Sequence, residues 1–228
     1  MIVIETKGLT KVYNPGEVPV EALKGVDLQI IKGEFTAIVG PSGSGKTTLL
    51  NIIGGLDSPT EGEILVNNIN LSTLSDSKLI DFRRDNIGFV FQAYNLIPVL
   101  TAYENIEFIM MLQKKPVSER DHRTRELLNA VGIGDQINKR PGQLSGGQQQ
   151  RVAVARALAS KPAFILADEP TANLDGKATA QLLDIMAKLN DEEHMTFIFS
   201  THDQRVIDRA KRVITLEDGL IVSDISKN

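Results

Sequence analysis

Three short runs of apolar, mostly branched or aromatic residues lie at wide intervals along the chain. Phe35-Thr36-Ala37-Ile38-Val39 ends at Gly40, Phe164-Ile165-Leu166-Ala167 ends at Asp168, and Thr196-Phe197-Ile198-Phe199-Ser200 ends at Thr201-His202. Hydrophobicity this continuous predicts strands buried on both faces of a parallel sheet, since half-exposed strands alternate. Each run gives way to glycine or polar residues at its C-terminal end, the edge where open α/β sheets bind ligands. Other segments predict antiparallel pairing. Glu63-Ile64-Leu65-Val66 runs into Asn67-Asn68, and Val213-Ile214-Thr215-Leu216 returns through Glu217-Asp218-Gly219 into Leu220-Ile221-Val222. Asp-Gly supplies the positive φ that tight hairpins require. From Ala178 to Leu189 the apolar residues recur at helical spacing, so an amphipathic helix is expected to pack on the sheet. The stretch 93–143 has no strand signal and carries Pro98, Pro116 and Pro141, which predicts a mainly helical insertion in one α/β domain spanning 1–228. No internal repeat or low-complexity tract interrupts this pattern.

Composition narrows the function. The 228 residues carry a net charge of −4, without the basic surplus needed to hold nucleic acid by its phosphates. With 42% hydrophobic and 24% charged residues the chain can bury an ordinary globular core. The absence of cysteine removes disulfides, thiolate metal sites and cysteine nucleophiles, and suits a reducing compartment. Glu5 and Lys7 break the apolar start, so no signal peptide is expected. Runs such as Phe108-Ile109-Met110-Met111-Leu112 fall short of the roughly 18 residues a membrane span needs, so any tie to a membrane is expected to come through a partner.

The chemistry lies at the strand ends. Gly40-Pro41-Ser42-Gly43-Ser44-Gly45-Lys46-Thr47 fits the phosphate-binding pattern G-x-x-x-x-G-K-[ST], between a buried strand and a helix opening at Thr48. Glycines let backbone N–H groups turn toward a phosphate, and the helix dipole adds positive potential. Lys46 then reaches the β- and γ-phosphates of a nucleotide, and the Thr47 hydroxyl ligates Mg²⁺. A chance match of these four fixed positions is expected in roughly 1 chain in 100. After the second strand, Asp168 is suited to the Mg²⁺ shell, and Glu169 to orienting or deprotonating an attacking water. Alone, such an acidic pair is more often a helix cap or a solvated turn. Leu144-Ser145-Gly146-Gly147-Gln148 opens another helix that stops before Pro162, with Ser145 placed as N-cap. Alone this is a capped helix.

Together, GPSGSGKT, ILADEP and LSGGQ resemble the nucleotide-binding subunit of ATP-binding cassette (ABC) transporters, with the likeness running from Tyr13 past His202. The resemblance implies an α/β P-loop fold: a RecA-like parallel-sheet core, an antiparallel β subdomain and an inserted helical subdomain. It implies ATP and Mg²⁺ as ligands and ATP hydrolysis coupled to transport. Tyr13 stands where the family stacks an aromatic ring on adenine; otherwise it is a half-buried strand residue. The nucleotide contacts fall on Gly40 through Thr48, on Ser145, Gly146, Gly147 and Gln148, and on Asp175 in Ala172-Asn173-Leu174-Asp175. Asn173 replaces the alanine usual at its place. Gln92 matches the family's glutamine loop, touching Mg²⁺ or the attacking water alongside Thr47 and Asp168. His202 matches the switch histidine that holds the γ-phosphate and helps position Glu169. Lys46, Gln92, Glu169 and His202 form the implied catalytic set. The signature at Ser145–Gln148 caps the γ-phosphate bound by another cassette, which implies a head-to-tail dimer. A membrane-spanning permease is the other implied partner, and it places the cassette on the cytoplasmic face of the membrane. Phe91 to Pro98, Leu100 to Ile106 and the triple Gln148-Gln149-Gln150 resemble the LolD/MacB group, which releases lipoproteins or exports macrolides and peptides. An FtsE-like cell-division ATPase and a soluble ABC ATPase without a transporter are the alternatives. The groove near Ile106–Leu112 reads either as the insertion's own core or as part of a docking site for the permease.

Overall fold

The computed structural model describes every residue except Pro15, Glu17 and Asn228. The chain opens with two long antiparallel strands, β1 (Ile2–Tyr13) and β2 (Val20–Ile31). β3 (Phe35–Val39) then leads through a glycine-rich loop into α1 (Lys46–Ile53). β4 (Glu61–Val66) and β5 (Ile69–Asn70) form a hairpin, followed by α2 (Asp76–Asn86) and β6 (Ile87–Phe91). Three helices come next: α3 (Ala102–Leu112), α4 (Val117–Ala130) and α5 (Gly146–Ala159). β7 (Phe164–Asp168), α6 (Gly176–Glu193), β8 (Thr196–Ser200) and α7 (Gln204–Arg209) alternate, and β9 (Arg212–Glu217) and β10 (Leu220–Ser226) close the chain.

Two sheets result. The larger runs β10-β9-β3-β8-β7-β6, parallel except for the β10 edge; the smaller, β2-β1-β4-β5, is antiparallel. The three apolar runs become adjacent central strands, β3, β8 and β7. Period-two alternation then divides their side chains between two cores. Phe35, Ala37, Phe197, Phe199, Ile165 and Ala167 face one side, among residues from α3 to α6. Ile38, Ile198, Phe164 and Leu166 face the other, against α1 and the antiparallel sheet. Phe35 and Phe199 lie with ring centroids 4.7 Å apart in a tilted pair, each ring's burial contributing about 2–3 kcal/mol.

Turn chemistry fixes the hairpins. Asn67 and Asn68 both take positive φ, as do Asp218 and Gly219, the pair of left-handed residues that a two-residue hairpin needs. Between Ala93 and Gln143 the structure has α3, α4 and two short 3₁₀ turns. Thr101 and Glu104 form a capping box that starts α3. Behind it, fully buried Asn105 accepts from the Ile97 N–H at 2.8 Å and donates to the carbonyls of Ile97, Leu100 and Thr101. That one amide pins the irregular segment around Pro98. Among the described residues no helix is long and apolar enough to cross a membrane.

Candidate active site at the strand ends

The loop after β3 is pressed between neighbouring strands, which dictates glycine at two places. Gly40 has φ 148°, and a Cβ there would lie 2.0 Å from the Leu216 carbonyl oxygen. Gly45 has φ 101°, and its Cβ would lie 2.4 Å from the Ala22 carbonyl oxygen. Neither gap admits a side chain without displacing backbone. Lys46 folds over its own loop, its ammonium donating to the carbonyls of Gly40 at 2.8 Å and Pro41 at 2.9 Å.

Parallel register brings the other groups alongside. Phe91 stands opposite Asp168, Asp168 opposite Ser200, and Ser200 opposite Ile38. Gln92, Glu169 and Thr201, one residue further on, therefore emerge side by side at one edge. The Thr47 hydroxyl donates to Asp168 Oδ1 at 3.4 Å. Glu169 adopts φ 47°, uncommon for a side chain of this kind, and its N–H donates to the Ser200 carbonyl at 2.9 Å. Its carboxylate lies 2.7 Å from His202 Nδ1 and accepts from the Thr201 hydroxyl at 3.2 Å. The Glu169 side chain is 19% exposed and that of His202 is 77% exposed, so a half-shielded acid meets a solvent-facing imidazole. Such a pair can hold a water and accept its proton.

These groups border an open cleft of about 760 Å³. Tyr13, the loop from Gly40 to Thr48, Gln92, Glu169 and His202 all line it. Asp168 does not line the cleft and reaches it through Thr47. The Tyr13 ring sits at the rim with its hydroxyl donating to Asp57 Oδ2 at 2.8 Å and the Lys11 ammonium 4.9 Å from its centroid. Burial pushes its phenol pKa up. Ser145, Gly146, Gly147, Gln148 and Asp175 lie outside the cleft. Ser145 caps α5, with a capping box closed by Gln148, and Asp175 caps α6 by accepting from the Ala178 N–H at 2.7 Å. Buried Gln150, on α5, donates to the Pro170 carbonyl at 2.8 Å and ties that helix to the turn after Glu169.

The sequence reading missed Val20, Glu21 and Ala22 at the rim, because they open β2 ahead of its alternating half, and Ser200 and Thr201 beneath Glu169. The hydroxyls of Ser44 and Ser200 are buried without a hydrogen-bond partner among the described residues, which fits a site awaiting phosphate or water oxygens. No cluster of three His, Cys, Asp or Glu forms among the described residues. Mg²⁺ fits this donor set, since it binds through one or two protein oxygens plus substrate phosphates, and Thr47 and Asp168 offer two oxygens at the loop.

Next to His202, Asp203 braces the edge. Arg205 grips its carboxylate through two nitrogens, at 2.9 and 2.7 Å, and the Thr171 hydroxyl donates at 2.7 Å. The guanidinium above all holds its pKa down at about 2. The folded value lies below the unfolded one of about 3.9, so this contribution is complete above about pH 5 and is lost progressively as pH falls through the folded value. The stability advantage of the wild type over Asp203→Asn is expected to shrink by about 2 kcal/mol between pH 5 and pH 2 in urea titrations. A constant difference across that window would refute the assignment.

The family model for the ABC transporter matches residues 23–172. An uncharacterized ABC transporter ATP-binding protein of Thermotoga maritima is 49% identical over 219 residues, covering 96% of this chain and 93% of that protein. The macrolide export ATP-binding/permease protein MacB of Wolinella succinogenes is 47% identical over 96% of this chain, which spans 34% of MacB. Among solved structures, the dimeric post-hydrolysis state of the ATP-binding cassette MJ0796, bound to ADP and Pi, superposes with a TM-score of 0.91. It is 47% identical, and the match covers 99% of each chain.

Proposed function

This chain belongs to the ABC transporter family as its ATP-hydrolysing cassette, and we propose that hydrolysis takes place in the strand-end cleft. One observation carries the reading: Thr47, at the start of α1, lies against Asp168 at the end of β7, and Glu169 lies against His202, at the edge that the phosphate loop faces.

The loop amides and Lys46 hold the triphosphate, with Tyr13 against the adenine. Thr47, Asp168 and the Gln92 side chain hold Mg²⁺, which neutralises charge on the phosphates when bound. Glu169 orients the attacking water and accepts its proton, while His202 keeps Glu169 in place and hydrogen-bonds the γ-phosphate. We read the whole chain as one cassette with 93–143 as its helical subdomain. Ser145 to Gln148 and Asp175 lie outside their own cleft, which supports a head-to-tail pairing where each copy completes the other's site. The permease part of the MacB relatives supports a separate membrane subunit as the partner here, with the cassette on its cytoplasmic face. Export or lipoprotein release is the transport type this likeness favours.

Phosphate release by the chain with its membrane subunit tests the reading. ATP with Mg²⁺ is expected to give steady turnover, and chelation of the metal to lower it at least about a hundredfold. Turnover indifferent to chelation would overturn the proposed metal site.

A further inference from the structure

Gln92 leads into a loop that bends sharply, for Tyr94 and Asn95 are both left-handed, at φ 52° and 50°. Asparagine tolerates that conformation, but a bulky residue such as Tyr94 holds it only where its surroundings impose it. Arg156, on α5, donates from one guanidinium nitrogen to the Tyr94 carbonyl at 2.9 Å and from another to the Asn95 carbonyl. Asn173 lies on the turn that follows Glu169, and its side-chain amide donates to the carbonyl of Gln92 itself at 2.9 Å. That turn is wound onto its own start, with the Ala172 N–H donating to the Glu169 carbonyl at 3.2 Å and the Leu174 N–H to the Thr171 carbonyl at 3.0 Å. One amide therefore links the backbone carrying the cleft's glutamine to the turn carrying its glutamate.

We infer that Asn173 is a positioning residue for hydrolysis: its amide latches the Gln92 backbone to the Glu169 turn, while Arg156 holds the far side of the same loop. The inference rests on Gln92 being part of the hydrolytic site. Asn173 is exposed and fills no part of either core, so removing its amide leaves the packing intact. Because the latch acts through Gln92, its loss matters only while the Gln92 side chain is present.

Steady-state phosphate release with ATP and Mg²⁺ tests this on five chains: wild type, Asn173→Ala, Asn173→Asp, Gln92→Ala and the double variant Asn173→Ala/Gln92→Ala. Aspartate keeps the shape of asparagine but turns only acceptors toward the carbonyl. Both Asn173 variants are expected to lose about tenfold in kcat with KM for ATP within about twofold of wild type, and with unchanged melting temperature. The double variant is expected to be no slower than Gln92→Ala alone. Multiplying losses in the double variant, or single Asn173 variants at the wild-type rate, would overturn the latch and leave the site reading standing. A Gln92→Ala chain that turns over normally would overturn both.

Discussion

Glu169→Gln is expected to reduce ATP turnover about a hundredfold or more while nucleotide binding survives and paired chains accumulate. The substitution is nearly isosteric, so the cleft keeps its shape, and an amide still accepts from the Thr201 hydroxyl that now meets the carboxylate at 3.2 Å. What disappears is the negative charge beside His202 Nδ1, and with it the only strong proton acceptor that Glu169 offered to a water. The phosphate loop does not depend on Glu169: its lysine is anchored to the Gly40 and Pro41 carbonyls and its glycines are set by β9 and β2. Binding and turnover therefore separate. If the γ-phosphate is what holds two cassettes together, a chain that cannot remove it stays paired. Light scattering with saturating ATP and Mg²⁺ is expected to show twice the 25.0 kDa mass of the single chain. Turnover at the wild-type rate would remove Glu169 from its role, and a monomer under those conditions would remove the pairing.

The strand ends were legible in the sequence because burial on both faces leaves a continuous apolar signal. β3 and β8 run from Phe35 to Val39 and from Thr196 to Ser200, as that signal predicts, and each ends where the site begins. The antiparallel sheet was only half legible. β1 and β2 are twelve residues each, but register shifts between Ile2 and Ile4, between Thr6 and Leu9 and beyond break up the alternation of β1, and β2 alternates only from Val26 onward. α2 escaped notice for a different reason. It is charge-rich and buries Phe82 alone, so it shows no apolar stripe. The latch at Asn173 had no local signature, since its partner is 81 residues away and is a backbone carbonyl. Contacts of that kind depend on two loops meeting in space. Sequence periodicity carries no trace of them.

Mixing two inactive variants is expected to restore activity, and this separates a site shared between copies from one completed within a single chain. Lys46→Ala removes the ammonium of the phosphate loop, a charged donor whose loss costs about two orders of magnitude or more. Gly147→Asp puts a carboxylate at the start of α5, in the capped turn proposed above to meet the partner's γ-phosphate. Its Cβ would lie 3.0 Å from the Ala178 side chain, a gap that a small shift of Ala178 can relieve, and an acidic residue suits the first turn of a helix, so the fold tolerates it. Each variant alone has every cleft damaged. In a mixed pair the cleft of the Gly147→Asp chain meets the intact signature of the Lys46→Ala chain, and that one cleft is whole. With equal amounts half the pairs are mixed, so turnover is expected to recover to about a quarter of the wild-type value. If the signature served its own cleft, mixing would restore nothing, because each chain would carry its lesion into any pair. The structure favours recovery, since Ser145, Gly146, Gly147 and Gln148 open a helix outside the pocket that Lys46 and Glu169 line.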